Sequence, residues 1–352
     1  MSLKSRVRRA VSLQAWRSTR SDVSHAGPPP DVGKFHHVHL IDTATASDNV
    51  GDEIIGDEAR RHIDSLFPMA YLSSSAGHDG LGASSRQLVR SATLALLIGT
   101  NALSPRRQMG GTFIWHVAPQ DVDLLAGKVV LFGVGANRDF DQVDPEQRDL
   151  LQKLLSRDHL HSVRDETGLK LLKAVGREGI NTSCPTLWRY ASAPPEVPQT
   201  SSDTVVFTLT AHKPDPIDAR FIEILRARYK RLRFWPQQPR DMTYLESLGP
   251  TEGIEIIGPS LHAYDAALAE TRCDVIGTRL HGCIRGLSHG RRILVIAIDN
   301  RARDIGAETG LPVVTRADVP RDLESRIDTG FATGLSVDPE PIQRFLSQFR
   351  SS

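Results

Sequence analysis

The sequence predicts an α/β protein: two doubly wound domains, each built on a parallel sheet, facing each other across a cleft. Three observations carry this expectation. Short apolar runs alternate with amphipathic helical stretches along most of the chain. Nearly every apolar run ends in glycine or polar residues, which loads the carboxyl edge where open α/β sheets bind ligands. The alternation stops at the proline- and serine-rich stretch 191–203 (ASAPPEVPQTSSD) and then restarts. The expected organisation is therefore a basic segment 1–33, a first domain 34–190, a linker 191–203 and a second domain 204–352.

In the first domain, His37 to Ile41 reads as a strand, followed by the loop Asp42 to Gly51. A helix then begins near Asp52, with Ile54, Ile55, Ala59, Ile63 and Leu66 at helical spacing. Asp48 or Asn49 can cap it, and Asp52 and Glu53 lie in the first turn, where the dipole favours acids. By itself the Asn49-to-Asp52 turn reads as a plain helix start. Leu94 to Ile98 is the next buried-type run, ending in Gly99-Thr100-Asn101, and Val129 to Val134 ends in Gly135-Ala136-Asn137-Arg138. A helix over Pro145 to Ser156 leads to a strand over His159 to Val163, which ends in Arg164-Asp165. The helix after it, Glu166 to Val175, stops at Gly176, a suitable C-terminal glycine.

In the second domain, Val205 to Leu209 is a strand, and the helix over Pro216 to Tyr229 carries Ile217, Phe221, Ile224 and Leu225. Leu232 to Trp235, Ile254 to Ile257 and Asp274 to Gly277 are further strands, with a helix over Leu261 to Thr271. A polar loop with Thr278, Arg279 and His281 then precedes a helix from about Gly282 to Ser288 and a strand over Ile293 to Ile298. Residues 340–350 close the chain as a helix.

Composition bounds the function. The 352 residues are 39% hydrophobic and 24% charged, the balance of a soluble globular protein. A formal net charge of +1 gives no argument for a nucleic-acid partner. Cys184, Cys273 and Cys283 fit no disulfide framework or metal spacing, which points to a reducing cytoplasm, and Cys273 and Cys283 read as small apolar filler. No apolar run approaches the roughly 18 residues of a membrane span, and the N-terminus lacks the apolar core of a secretory signal. Lys4, Arg6, Arg8, Arg9, Arg17 and Arg20 all precede the first acid, Asp22. This segment reads as a disordered tail, or alternatively as a basic helix touching anionic lipid at the inner face of the membrane.

Elimination narrows the chemistry. The chain has no P-loop, no Gly-x-Gly-x-x-Gly fingerprint, and no His-Glu-x-x-His or Cys-x-x-Cys pair. No metal or dinucleotide is expected. Arg164, Arg279, His281 and Arg285 remain at loop positions. Arginine forks match phosphate or carboxylate, so the set suggests a small polyanionic ligand. An imidazole with an ordinary pKa of about 6.5 can carry a proton at neutral pH. The plainer alternatives are an exposed Arg164–Asp165 ion pair and a structural histidine.

Three motifs, Asn49-Val-Gly-Asp-Glu53, Ser162-Val-Arg-Asp-Glu166 and Gly277-Thr-Arg-Leu-His-Gly282, resemble those of the polysaccharide pyruvyl transferase family, in the same order. The resemblance spans residues 38–315. It implies two Rossmann-like domains in a glycosyltransferase-B-like arrangement. It also implies pyruvyl transfer from phosphoenolpyruvate to a saccharide or lipid-linked saccharide of an exopolysaccharide or cell-envelope glycan, closing a ketal with no separate cofactor. Arg279 and His281 match the family's donor-binding and catalytic pair, and Arg164 is a second candidate for the phosphate or carboxylate. Thr278, Leu280 and Arg285 join them as donor-binding candidates, and Asn49, Gly51, Asp52, Asn101 and Asn137 as substrate-binding ones. Gly99-Thr100-Asn101 and Pro185-Thr186 depart from the family's glycine-rich turn and Pro-Asp pair. Two other readings stay open. One is a nucleotide-sugar glycosyltransferase, with Glu246, Glu252 or Glu255 as its ribose-binding carboxylate. The other is a catalytically inactive binding homologue.

Overall fold

Every residue of β1 (His37–Asp42) is buried, as expected for a strand covered on both faces of a parallel sheet. A computed structural model of the chain describes residues 34–106, 115–329 and 334–350, so the basic segment 1–33 and both readings of it lie outside the described residues. After β1 come α1 (Val50–Leu66), β2 (Tyr71–Ala76), α2 (Ala83–Ser91), β3 (Leu94–Ile98), α3 (Val122–Leu125) and β4 (Val129–Phe132). The first half continues with α4 (Pro145–Leu154), β5 (His161–Val163), α5 (Glu166–Ala174), β6 (Gly179–Asn181) and a 3-10 segment, Pro185–Ala191. Strands run β2-β1-β3-β4, all parallel, and the β5-β6 pair extends the row through the Val134–Val163 bridge.

The second half comprises β7 (Thr204–Thr208), α6 (Ile217–Arg228), β8 (Arg231–Phe234), α7 (Pro239–Ser247), β9 (Ile254–Ile256), α8 (Leu261–Glu270) and β10 (Asp274–Gly277). It ends with α9 (Leu280–Ser288), β11 (Arg292–Ala297), α10 (Asn300–Thr309), β12 (Val313–Thr315), α11 (Val319–Thr329) and α12 (Pro339–Ser347). Its parallel order, β12-β11-β10-β7-β8-β9, is the doubly wound order 3-2-1-4-5-6 counted within this half. The fold is thus two Rossmann-like halves in a glycosyltransferase-B-like arrangement. Strand order reverses between β1 and β3 in the first half and between β7 and β10 in the second. Each reversal opens a crevice beyond the strands' carboxyl ends.

One apolar cluster joins the halves. It runs from Val38, Leu96 and Phe132 through Ile54 and Ala59 of α1 to Ile284 and Leu287 of α9 and Val275 and Val295 of the second sheet. Helix α12 follows the second half in sequence but packs on the first. There Phe345 meets Phe132 with ring centroids 5.4 Å apart, and Phe349 meets Phe67 at 5.5 Å. The last segment of the domain drawn at 204–352 therefore returns across the cleft.

Strand β2 has no apolar alternation, because its inward positions are the buried serines Ser73 and Ser75. Ser73 Oγ bonds His37 Nε2 and His39 Nδ1, both at 2.8 Å, and Ser75 Oγ bonds His39 Nε2 at 2.9 Å. Burial, with His37 beside it, pushes His39 down to about 4. Burial also brings His161 to about 4, aided by Arg177 and His159 against a bond to the Ser156 carbonyl. An unfolded histidine titrates near about 6.5, so the unfolded chain takes up protons first. The stability held by these neutral rings is complete above that pH and is lost as pH falls towards about 4. Urea unfolding at pH 7.5 and pH 5 should show a loss of about 2 kcal/mol per histidine. His39→Gln should flatten the slope, and a slope unchanged in that variant would contradict the account.

Candidate active site

The two crevices face each other around a cavity of about 320 Å³, at the small end of the usual range for ligand sites. Loops after β1, β3, β5, β7, β8, β10 and β11 all reach it. A smaller cavity of about 150 Å³ adjoins it. Both are lined by Asn101, Arg164, Leu280, Asp299 and Arg301, so these residues stand where the two meet. Asn49, Asp52, Thr278, Arg279 and His281 line the larger cavity, and Asn137 lines the smaller.

The Gly277–Gly282 motif is built for close contact. A Cβ on Gly277 would overlap the Thr208 hydroxyl, so glycine lets β10 lie tightly on β7. Thr278 N donates to Thr208 O at 3.2 Å, and the Thr278 and Thr210 hydroxyls bond at 2.8 Å. Helix α9 begins at Leu280, so His281 stands on its first turn and not in the preceding loop. Gly282 does not delay the helix, because the absence of a side chain there lets α9 approach Trp235. No side chain caps α9. The amides of its first turn have no partners within the helix and form a natural anion site.

Arg279 is buried, and the Nε–Nη2 edge of its fork is occupied. Nη2 donates to Asp241 Oδ1 at 2.5 Å and to Gln238 Oε1 at 2.8 Å, while Nε donates to the Leu209 carbonyl at 2.9 Å. Asp241 also accepts from the amides of Ala211, Gln237 and Gln238. The guanidinium expected to grip the donor thus ties three loops together and builds the cavity wall. Arg285 lies one turn further along α9. It bonds Asp265 at 2.6 Å, Asp57 at 2.7 Å and Glu58 at 3.2 Å, joining α9 to α8 and α1. Arg285, expected as a donor-binding residue, lines neither cavity, which sets it apart from Thr278, Arg279 and Leu280. Gly51 likewise lies beside the cavity without lining it. Its missing side chain makes room for Gln237, which donates to Asn49 Oδ1 at 2.8 Å across the halves.

Arg164 is the contrasting arginine. It is buried at the end of β5, donates from Nη2 to Asn101 Oδ1 at 2.5 Å, and forms no ion pair with any described residue. Across the cavity, Asp299 binds Arg301 at 2.7 Å and Lys213 at 3.1 Å. Burial works to raise the Asp299 pKa, but these two cations outweigh it and hold the carboxyl at about 2. Two cations thus share the carboxylate of Asp299, while Asp165, Asp304 and Glu308 also line the smaller cavity. Arg279 is paired with Asp241.

His281 Nε2 lies 3.6 Å from Cys184 Sγ, and the same sulfur accepts from the Thr186 hydroxyl at 3.2 Å. Burial, then the charges of Arg164 and Arg301, hold the imidazole well below its ordinary pKa, so at rest it is neutral. Asp52 shifts the other way. Burial pushes its carboxyl up against the opposing influence of Ser47, His78, Arg164 and Asn49. Thr100 takes a positive φ of 52°, which is strained for a β-branched residue. It forms the turn for which a glycine-rich sequence would be the natural choice.

Sequence reasoning missed Cys184, Lys213, His212, Asp241, Asp299 and Arg301. His212, Asp299 and Arg301 lie within five residues of a strand's carboxyl end, so the edge rule applied to β7 and β11 would have found them. Glu255 binds Arg231 and Arg233, and none of Glu246, Glu252 and Glu255 lines the cavity. Among the described residues no group of His, Cys, Asp and Glu could hold a metal ion, and no helix is long and apolar enough to cross a membrane.

The family described as polysaccharide pyruvyl transferase matches residues 49–300. Comparison with curated proteins returned no match. Among solved structures, the chain is similar to Methanocaldococcus jannaschii UDP-GlcNAc 2-epimerase in complex with UDP-GlcNAc and UDP. The TM-score is 0.48 at 13% identity, over 89% of this chain and 99% of that one. It is also similar to the S. aureus MnaA-UDP co-structure (TM-score 0.45, 13% identity, 88% and 96% covered). A third is Neisseria meningitidis UDP-GlcNAc 2-epimerase bound to UDP-GlcNAc (TM-score 0.43, 12% identity, 89% and 99% covered).

Proposed function

Because the chain belongs to the polysaccharide pyruvyl transferase family, and is therefore a transferase, we propose that it moves a pyruvyl group from phosphoenolpyruvate to two hydroxyls of a saccharide. The product is a cyclic ketal on a sugar of an exopolysaccharide or cell-envelope glycan, free or lipid-linked, and no cofactor beyond the donor is needed. The observation that carries this reading is the charge at the meeting of the two cavities. The buried guanidinium of Arg164 has no ion-pair partner among the described residues. Arg301 and Lys213, which share the carboxylate of Asp299, stand near it. Phosphoenolpyruvate brings two anionic groups, a carboxylate and a phosphate, and each suits one of these sites. The uncapped amides at the start of α9 add donors for the phosphate.

His281 lines the larger cavity as a neutral imidazole, ready to accept the proton of an attacking hydroxyl. Donor binding neutralises Arg164 and Arg301, the same cations that depress the imidazole. Its pKa then climbs, and it can hold that proton for the leaving phosphate. Arg279 acts here as a positioning residue that fixes the cavity wall.

Calorimetric titration tests the donor. The wild-type protein should bind phosphoenolpyruvate and not UDP-sugars, and Arg164→Ala should weaken binding about 10- to 100-fold, the worth of about 1.5–3 kcal/mol of charge-assisted bonding. Tight binding of a nucleotide sugar, or an Arg164→Ala variant with unchanged affinity, would count against this assignment.

A further inference from the structure

Ketal formation has two proton transfers to manage. The methylene carbon of phosphoenolpyruvate must gain a proton, and two acceptor hydroxyls must lose theirs. The enzyme therefore needs one group that starts with a proton and one that starts without.

Two helices from opposite halves direct their first turns at the same cavity. Asp52 stands in the first turn of α1 and His281 in the first turn of α9, and both side chains line the space between. Asp52 Oδ2 accepts from Ser47 Oγ at 2.7 Å, which fixes the carboxyl's orientation. We propose that Asp52 delivers the proton to the donor's methylene carbon and recovers one from the second acceptor hydroxyl, while His281 serves the first hydroxyl and the leaving phosphate. The assignment rests on the pyruvyl-transfer chemistry proposed above.

The steps balance. The carbon–carbon double bond of the donor takes the Asp52 proton, leaving a methyl group and an oxocarbenium centre. The first hydroxyl adds to that centre and gives its proton to His281. The bond between that centre and the phosphate oxygen then breaks, and phosphate leaves with the His281 proton. The second hydroxyl closes the ring and returns its proton to the Asp52 carboxylate. Both residues end as they began.

The surroundings fit this division. An aspartate in a helix's first turn is normally favoured as the anion. Here burial works first and raises its pKa, while the same burial lowers that of His281. Environments that push two titratable groups apart mark an acid and a base. His78 and Arg164 face Asp52 from its own half, with Asp48 and Glu53 beside it in the chain, and His212, Arg279, His281, Asp299 and Arg301 line the cavity opposite. Of these, Arg164 and His78 favour the carboxylate, and the bound donor's negative charge offsets them.

The test uses the full-length enzyme, phosphoenolpyruvate, and simple glycosides whose hydroxyl pairs can close a five- or six-membered ring. Asp52→Asn should lower kcat by about 10²-fold, keep phosphoenolpyruvate affinity by calorimetry, and lose the alkaline limb of the kcat/KM profile. Ser47→Ala removes a hydrogen bond that favours the carboxylate, so the alkaline limb should move to higher pH. That second variant decides the question if Asp52→Asn fails to fold. An Asp52→Asn enzyme with wild-type kcat, or a Ser47→Ala enzyme with an unmoved limb, overturns the role of Asp52 alone. A wild type that releases no phosphate with any glycoside overturns the pyruvyl-transfer chemistry and this assignment with it.

Discussion

Replacing His281 with alanine is expected to lower kcat by about 10²–10⁴-fold, the usual worth of one positioned proton carrier. Phosphoenolpyruvate affinity should hold, because the imidazole is neutral when the donor arrives and contributes no charge to its binding. The pH dependence separates this from a structural role. His281 must be unprotonated to act as base. Burial and the cations Arg164 and Arg301 hold its pKa well below the ordinary value, so the acid limb of kcat/KM should lie well below pH 6.5. With the donor bound those cations are compensated. The acid limb of kcat should then lie at higher pH than that of kcat/KM. His281→Ala should remove the limb from both profiles. Equal limbs in the wild type, or a His281→Ala variant retaining full kcat, would rule out the role.

The second large effect concerns Arg279 and Asp241, which are both buried and bonded to each other at 2.5 Å. Asp241→Ala should destabilise the protein by about 3–5 kcal/mol, because it strands a buried guanidinium. It also removes the acceptor for three loop amides. Arg279→Lys should fail in a similar way, since one ammonium cannot reach Asp241, Gln238 and the Leu209 carbonyl together. Replacing both partners with apolar residues of similar volume should recover part of the loss, while activity stays low because the wall is rebuilt. Urea unfolding measures this directly. If Asp241→Ala cost less than about 1 kcal/mol, as an exposed pair would, the Arg279 fork would be free for ligand.

These expectations show where sequence was informative. Strands β3 and β4 are apolar runs and β7, β10 and β11 have apolar centres, all buried on every residue, so hydrophobicity marks them plainly. Strand β2 escapes because its inner face is serines bonded to the histidines of β1, and a pattern based on apolar residues has no purchase on it. Short edge strands such as β12, with three residues, carry too little pattern to stand out.

The site follows the same logic. Residues at strand ends are local information, and Arg164, Thr278, Arg279 and His281 all came from it, while Asn49 came from the motif resemblance. Which arginine is already paired is not local. Arg279 is neutralised by a carboxylate 38 positions away, and Arg285 by one 228 positions away. Cys184 carried no signal in the sequence and meets His281 where the 3-10 segment Pro185–Ala191 packs against α1 and α9. Opposed shifts at Asp52 and His281 depend on burial, which no single motif encodes.

The central claim is that the cleft joins the pyruvyl group of phosphoenolpyruvate to a sugar diol. It is tested by incubating the enzyme with phosphoenolpyruvate and the glycoside panel and following phosphorus and proton NMR spectra together. Inorganic phosphate should appear in step with one new methyl singlet on a ketal carbon of the glycoside. Phosphoenolpyruvate left intact across the panel, or consumed with the methyl signal of free pyruvate alone, would contradict it.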